Sequence, residues 1–157
     1  MIVVDTNILV YAHREDSKWH ASALSCVKEL AQAADPWAIP WSCMHEFVAI
    51  VTHPRIYMPP TPLKQTLEQV EAWLESPSLH LLSEFEGYWD TLKDLLQASK
   101  VQGAQVHDAR IAALVKHHSG SELWTADRDF TRFPGIKTRN PLVMTREKMF
   151  RSSDEVS

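Results

Sequence analysis

The apolar positions of this chain fall into short continuous runs separated by longer stretches of helical spacing. Ile2-Val3-Val4 is a fully apolar, β-branched run of the kind buried in the middle of a parallel sheet. Across residues 20–34, Ala21, Leu24, Val27, Leu30, Ala31 and Ala34 recur on one helical face. Trp37-Ala38-Ile39, closed by Pro40, predicts a second strand, and Ser42 is placed to cap a helix carrying Glu46, Phe47, Ile50 and Val51. Four prolines in residues 53–62 predict a loop. Thr61-Pro62 then opens a helix, a capping residue followed by proline at the first helical position. Its expected inward face is Leu63, Leu67, Val70 and Leu74, and Ser76-Pro77 ends it.

Residues 79–82 predict a third strand, and residues 85–98 a helix with Trp89, Leu92, Leu95 and Leu96 facing in. Residues 106–118 predict another helix, with Asp108 in its first turn. A fourth strand follows at 122–125, then a loop at 126–135 holding Asp127 and Asp129, then a short strand at 136–138. Strands alternating with helices imply an α/β sandwich around a mostly parallel sheet. The pattern gives one domain over residues 1–143, and the polar residues 144–157 are expected to form a loose tail.

Composition narrows the class without naming a chemistry. A chain of 157 residues suits a single domain that needs no disulfide to hold its core. Cys26 and Cys43 stand alone, in no metal-binding spacing, which suits a reducing compartment. No signal-peptide pattern precedes the first strand and no apolar run is long enough to cross a membrane, so the expected location is the cytoplasm. A net charge of −4 runs against the basic footprint usual in nucleic-acid binders. Acidic metal ligands lower such a count, and bound cations would reverse the local charge.

The acids are where chemistry enters. Asp5 directly follows the first strand and Asp127 lies just beyond the fourth. Ligands of open α/β sheets bind outside the carboxyl ends of the strands, so both belong at that edge. Glu46 and Asp108 sit near the starts of helices expected to begin there. Two carboxylates about 4 Å apart repel by about 4 kcal/mol at an effective dielectric near 20, so protons or cations must relieve the cluster. An all-oxygen set favours Mg²⁺ or Mn²⁺ over Zn²⁺, and such an ion suits hydrolysis of phosphodiesters. Each acid also has an ordinary role open to it: Asp5 as a cap, Glu46 as a solvated helix residue, Asp108 as a first-turn acid, Asp127 and Asp129 as turn formers.

At these residues the sequence resembles the PIN-domain family of nucleases. The resemblance is carried by Asp5-Thr6-Asn7 after an apolar strand, Glu46 in a helix, the run His107-Asp108-Ala109-Arg110-Ile111-Ala112-Ala113-Leu114, and Thr125-Ala126-Asp127-Arg128-Asp129-Phe130 after a strand. The size and the Leu9-Val10-Tyr11-Ala12 continuation further resemble the VapC ribonuclease toxins. The resemblance implies a PIN-like three-layer sandwich with four or five strands, and endonucleolytic cleavage of RNA with Mg²⁺ or Mn²⁺. It also implies a homodimer and a small antitoxin that blocks the acidic pocket. By its pattern Asp5, Glu46, Asp108 and Asp127 are catalytic and metal-site acids, with Thr6, Asn7 and Asp129 in support.

Two other classes compete. One is a phosphatase using Asp5 as nucleophile, although the second Asp such enzymes carry two residues on is here Asn7. The other is a non-catalytic metal- or RNA-binding module. Eight histidines show no H-E-x-x-H pattern. Arg14, Lys18, Arg55, Arg110, Arg128 and Arg132 are candidates for the rim, with Arg110 and Arg128 alternatively paired to a neighbouring acid. Trp41 and Phe130 are candidates for stacking on unpaired bases, Phe130 being also a candidate for the core.

Overall fold

The computed structural model describes residues 1–143; the expected tail at 144–157 lies outside the described residues. Five strands, β1 (Ile2–Val4), β2 (Trp37–Pro40), β3 (Leu79–Leu82), β4 (Glu122–Trp124) and β5 (Lys137–Arg139), form one sheet in the order β3-β2-β1-β4-β5. Every pairing is parallel. The chain lays down β1, adds β2 and β3 on one side, and then crosses to add β4 and β5 on the other. The strand order therefore reverses between β1 and β4, which is where parallel sheets of this kind open a crevice at their carboxyl ends. All-parallel pairing also explains the unbroken apolar runs: Val3, Val4, Trp37, Ala38, Ile39 and Leu123 are buried because helices flank the sheet.

Among the described residues six α-helices flank it: α1 (Thr6–His13), α2 (His20–Gln32), α3 (Trp41–Val51), α4 (Leu63–Leu74), α5 (Tyr88–Ser99) and α6 (Val106–His117). Helices α1 to α4 contact one another in a chain, and α5 pairs with α6. Short 3₁₀ turns at Gly103–Gln105 and Arg128–Arg132 complete the described elements. Phe130 lies within the second turn and Phe133 directly follows it; both are buried, so Phe130 belongs to the core.

Helix α1 has no counterpart in the sequence reading. Ile8, Leu9, Val10 and Ala12 are all buried, so the helix is apolar on most of its circumference and shows no one-sided period. Three helices start elsewhere than expected: α3 begins at Trp41 with Pro40 before it, α4 begins at Leu63 with Pro62 and not Thr61 in the cap position, and α5 begins at Tyr88. Ser42 is not the cap of α3, and its buried Oγ has no hydrogen-bond partner.

The inward face of α4 is also rotated from expectation. Thr66 and Trp73 are buried, whereas Leu63, Leu67 and Leu74 are exposed. Thr66 can sit inside because its hydroxyl donates to Pro62 O at 3.2 Å, and Trp73 meets Phe47 edge to face with centroids 4.7 Å apart. On α5 only Leu95 is buried, and Trp89 is exposed. Arg14 ties the proline-rich loop to the end of α1: its guanidinium donates to Pro59 O at 3.0 Å and to Thr61 Oγ1 at 3.2 Å, and lies over the Tyr57 ring. At the open edge, β5 exposes Lys137 and Arg139, with Lys137 Nζ 3.1 Å from Glu122 Oε2 on β4.

Burial at β4 and exposure on α4 give opposite expectations for two leucines. Leu123→Ala should lower stability by about 2–5 kcal/mol, and Leu67→Ala should stay within about 0.5 kcal/mol of the parent. Urea unfolding measures both; equal losses would return Leu67 to the core.

Candidate active site

The reversal point between β1 and β4 is filled by a hydrogen-bond network around Asp5. Only 5% of Asp5 is exposed. Its backbone N–H continues the ladder, donating to Trp124 O at 3.0 Å. Its side chain caps α1: Oδ1 accepts the Thr6 N–H at 2.7 Å. The thiol of Cys43, in the first turn of α3, donates to the same oxygen at 3.8 Å. Oδ2 accepts the Thr125 hydroxyl at 2.7 Å and the Asn7 amide at 3.3 Å. Four donors from α1, α3 and the end of β4 thus converge on one carboxylate.

The neighbours extend the network rather than merely surrounding it. Asn7 Oδ1 accepts the Ala126 N–H at 3.1 Å, and Thr125 Oγ1 accepts the Asp127 N–H at 3.0 Å. Asp127 Oδ1 in turn accepts the Asp129 N–H at 2.8 Å, which starts the 3₁₀ turn. Thr125 is therefore the hinge of the arrangement, bonded to Asp5 and setting the loop that carries Asp127. The sequence placed Thr125 at the end of the fourth strand and in the motif carrying Asp127, without a role as a partner of Asp5. The signal available for it was its position, the last residue before the strand gives way to the acid-bearing loop.

The expected acids share one electrostatic environment. Burial pushes the Asp5 carboxyl above the usual aspartate range, Thr125 and Thr6 pull it down by hydrogen bonding, and the charges of Glu46 and Asp127 push it up again. Asp108, in the first turn of α6, is raised to about 6 by partial burial and then by Asp127, Asp5 and Asp129, against a lowering by Arg132. Glu46 is exposed on α3 and acts on Asp5 through its charge. Asp129 is exposed, and Arg132 Nη2 stands 3.4 Å from its carboxylate. Arg110 does not pair with Asp108; it reaches Glu84 at 3.2 Å.

All the donors here are oxygens, which suits a hard cation. Among the described residues, no group of three or more His, Cys, Asp or Glu side chains is close-set enough to hold a metal ion unaided. That still fits Mg²⁺ or Mn²⁺ and not a structural Zn²⁺. Mg²⁺ keeps much of its water and takes one or two carboxylates together with substrate phosphate, while structural zinc needs a closed set of four ligands. Asp5, with both oxygens engaged in hydrogen bonds, is poorly placed to attack phosphorus itself, and Asn7 spends its amide on Asp5 and its carbonyl on Ala126.

A family model of the PIN domain matches residues 2–136. The chain belongs to the PIN-domain family. Curated relatives of this PIN domain carry VapC names. VapC ribonuclease Mb2897 of Mycobacterium bovis is 33% identical over 142 residues, covering 90% of this chain and 96% of its own. Ribonuclease VapC48 of Mycobacterium tuberculosis is 28% identical over 137 residues, covering 87% and 94%. Among solved structures, VapBC2 from Rickettsia felis bound to a promoter DNA fragment superposes with a TM-score of 0.64 at 19% identity, covering 88% of this chain and 98% of that one. The toxin VapC20 of Mycobacterium tuberculosis, described as cleaving the sarcin–ricin loop, gives 0.63 at 11% identity, covering 83% and 93%. Those two likenesses establish the PIN fold.

The raised Asp108 carboxyl makes a signed prediction. The folded state holds that proton more tightly than the unfolded chain does, so metal-free protein loses stability as pH rises from the ordinary aspartate range through about 6. Asp108→Asn should therefore raise the thermal midpoint of the metal-free protein at pH 7 and flatten its dependence on pH between 4 and 7. Calorimetry in EDTA reads this directly, and a lowered midpoint at neutral pH would contradict the electrostatic account.

Proposed function

We propose that this chain is a divalent-metal-dependent endoribonuclease, the toxic component of a toxin–antitoxin pair. The observation that carries the reading is the convergence of Asp5, Asp108, Asp127 and Glu46 on one electrostatic environment at the sheet's reversal point. The VapC relatives named as ribonucleases support the substrate class.

Asp5, Asp108 and Asp127 would hold Mg²⁺ or Mn²⁺, with Glu46 contributing from α3. When bound, such an ion lowers the pKa of water and offsets the negative charge that develops on a phosphodiester during hydrolysis. The chain's own part is preorganisation. Thr6, Asn7, Thr125 and Cys43 fix both oxygens of Asp5, so its orientation does not wait on the ligand. The loop after β4 carries Asp127 on the same framework, with Asp129 supporting its first turn. A cation held there would lower the raised pKa of Asp108, because that elevation arises partly from carboxylates whose charge the cation would offset.

Solved relatives include a toxin–antitoxin complex from Klebsiella pneumoniae, which supports a small antitoxin partner for this chain. A homodimer is proposed with it. The exposed leucines of α4 offer apolar surface for such contacts. No described helix is long and apolar enough to cross a membrane, in keeping with action on RNA in the cytoplasm.

Purified, antitoxin-free protein should cut structured RNA with Mg²⁺ or Mn²⁺ and stop on addition of EDTA. Asp5→Asn and Asp108→Asn should each lower the rate by at least about a hundredfold with the fold retained by circular dichroism. Undiminished cleavage in both variants would remove the mechanism. Induced expression of the wild-type chain should arrest growth where Asp5→Asn does not; equal growth would remove the toxin role and leave the nuclease.

A further inference from the structure

Tryptophan is among the most buried residues on average, and leaving its ring in water forgoes a large favourable burial. Trp41 is nonetheless 39% exposed. It is the first residue of α3, which starts directly at the carboxyl end of β2. Side chains at a helix start lean back toward the N-terminus, here toward the edge that carries the acids. Cys43, two residues on, touches Asp5 Oδ1, and Glu46, on the next turn, acts on Asp5 by charge.

A second ring stands beside the indole. His45 is exposed one turn along α3, its ring 6.1 Å from that of Trp41 and tilted by 32°. No hydrogen bond within the described chain engages the Trp41 indole N–H or the His45 ring nitrogens. Both are left to meet something from solution. By contrast Phe130, the other aromatic considered for stacking, is buried and unavailable.

We propose that Trp41 and His45 form a seat on which one unpaired base of the RNA substrate stacks, at the same end of the sheet as the acids but on a different side of α3 from Cys43 and Glu46. This rests on the nuclease reading. A base in a duplex has no free face to offer, so the seat selects single-stranded segments, loops or bulges. Stacking on an indole tolerates any base, because every base has a π-face. The seat therefore selects for an unpaired strand, with edge contacts from the free indole N–H and imidazole available to grade one base against another.

The test uses the full chain in an Asp108→Asn background, chosen to stop cutting, with RNA binding by this parent measured first as the reference for every further variant. The probes are a single-stranded RNA of about 12 nucleotides with mixed sequence, the same strand with one abasic residue at each position in turn, and its full duplex, all with Mg²⁺. Trp41→Ala should weaken binding of the intact strand about tenfold, and Trp41→Phe should recover most of the loss. One abasic position should cost the parent about as much and should cost Trp41→Ala almost nothing more, since the two changes remove the same contact. Duplex binding should not respond. His45→Ala, at an exposed position, should show a smaller loss of the same pattern and serves if Trp41→Ala folds poorly.

Full-strength binding by Trp41→Ala and His45→Ala would overturn the seat, as would an abasic penalty that persists undiminished in Trp41→Ala. A shift from dimer to monomer in Trp41→Ala by sedimentation would make the face a protein interface and overturn it too. These outcomes are separable from failure of the nuclease reading, which would show as absence of cleavage by the wild type and of RNA binding by the parent.

Discussion

A carboxylate removed from water must be neutralised or surrounded by donors, and Asp5 is ringed by donors from three elements. That requirement organises the middle of the molecule. The Thr6 amide supplies one bond by starting α1 immediately after β1; the Thr125 hydroxyl supplies another by ending β4 alongside it. Two strands far apart in sequence are thus joined at their carboxyl ends by side chains as well as by the backbone ladder between Asp5 and Trp124. The architecture and the site share the same few bonds, so Asp5 is at once a helix cap and a candidate ligand. Both of its oxygens already accept hydrogen bonds, so a cation would share one of them with these donors.

The remaining acids are held under opposite pressures. Asp108 gains from the dipole of α6, whose first turn it occupies, and loses from three carboxylates nearby. A chain selected for stability alone would replace one of these acids. Retaining them is the usual signature of a site whose function opposes its stability. Arg132 offers partial relief from the side, anchored on Asp129 through both its ion pair and a bond to the backbone carbonyl.

How much of this was legible in the sequence depends on what each residue touches. The strands were readable because parallel strands covered on both faces leave unbroken apolar runs, as in Val3-Val4 and Trp37-Ala38-Ile39. Asp5, Asp108 and Asp127 were readable because strand ends and helix starts predict an edge. Helix α1 was not, since a helix buried on most sides loses the one-sided pattern that marks helices. The inward face of α4 was misjudged because leucine outranks threonine in hydrophobicity, and a bond from Thr66 to Pro62 O reverses that ranking locally. The partners of Asp5 were out of reach for a different reason: Cys43 and Thr125 are distant in sequence and ordinary in type, and only the sheet order brings them to one oxygen pair.

The outer strand β5 carries its own consequence. An open sheet presents unpaired amide and carbonyl groups along its last strand, an invitation to any passing extended segment. Here that margin is Lys137-Thr138-Arg139, with both cations turned to solvent. An incoming strand would have to lie against Arg139 and the Lys137–Glu122 ion pair, which works as a guard against runaway fibre-like stacking. Copies of this chain that associate are thereby discouraged from pairing along this margin.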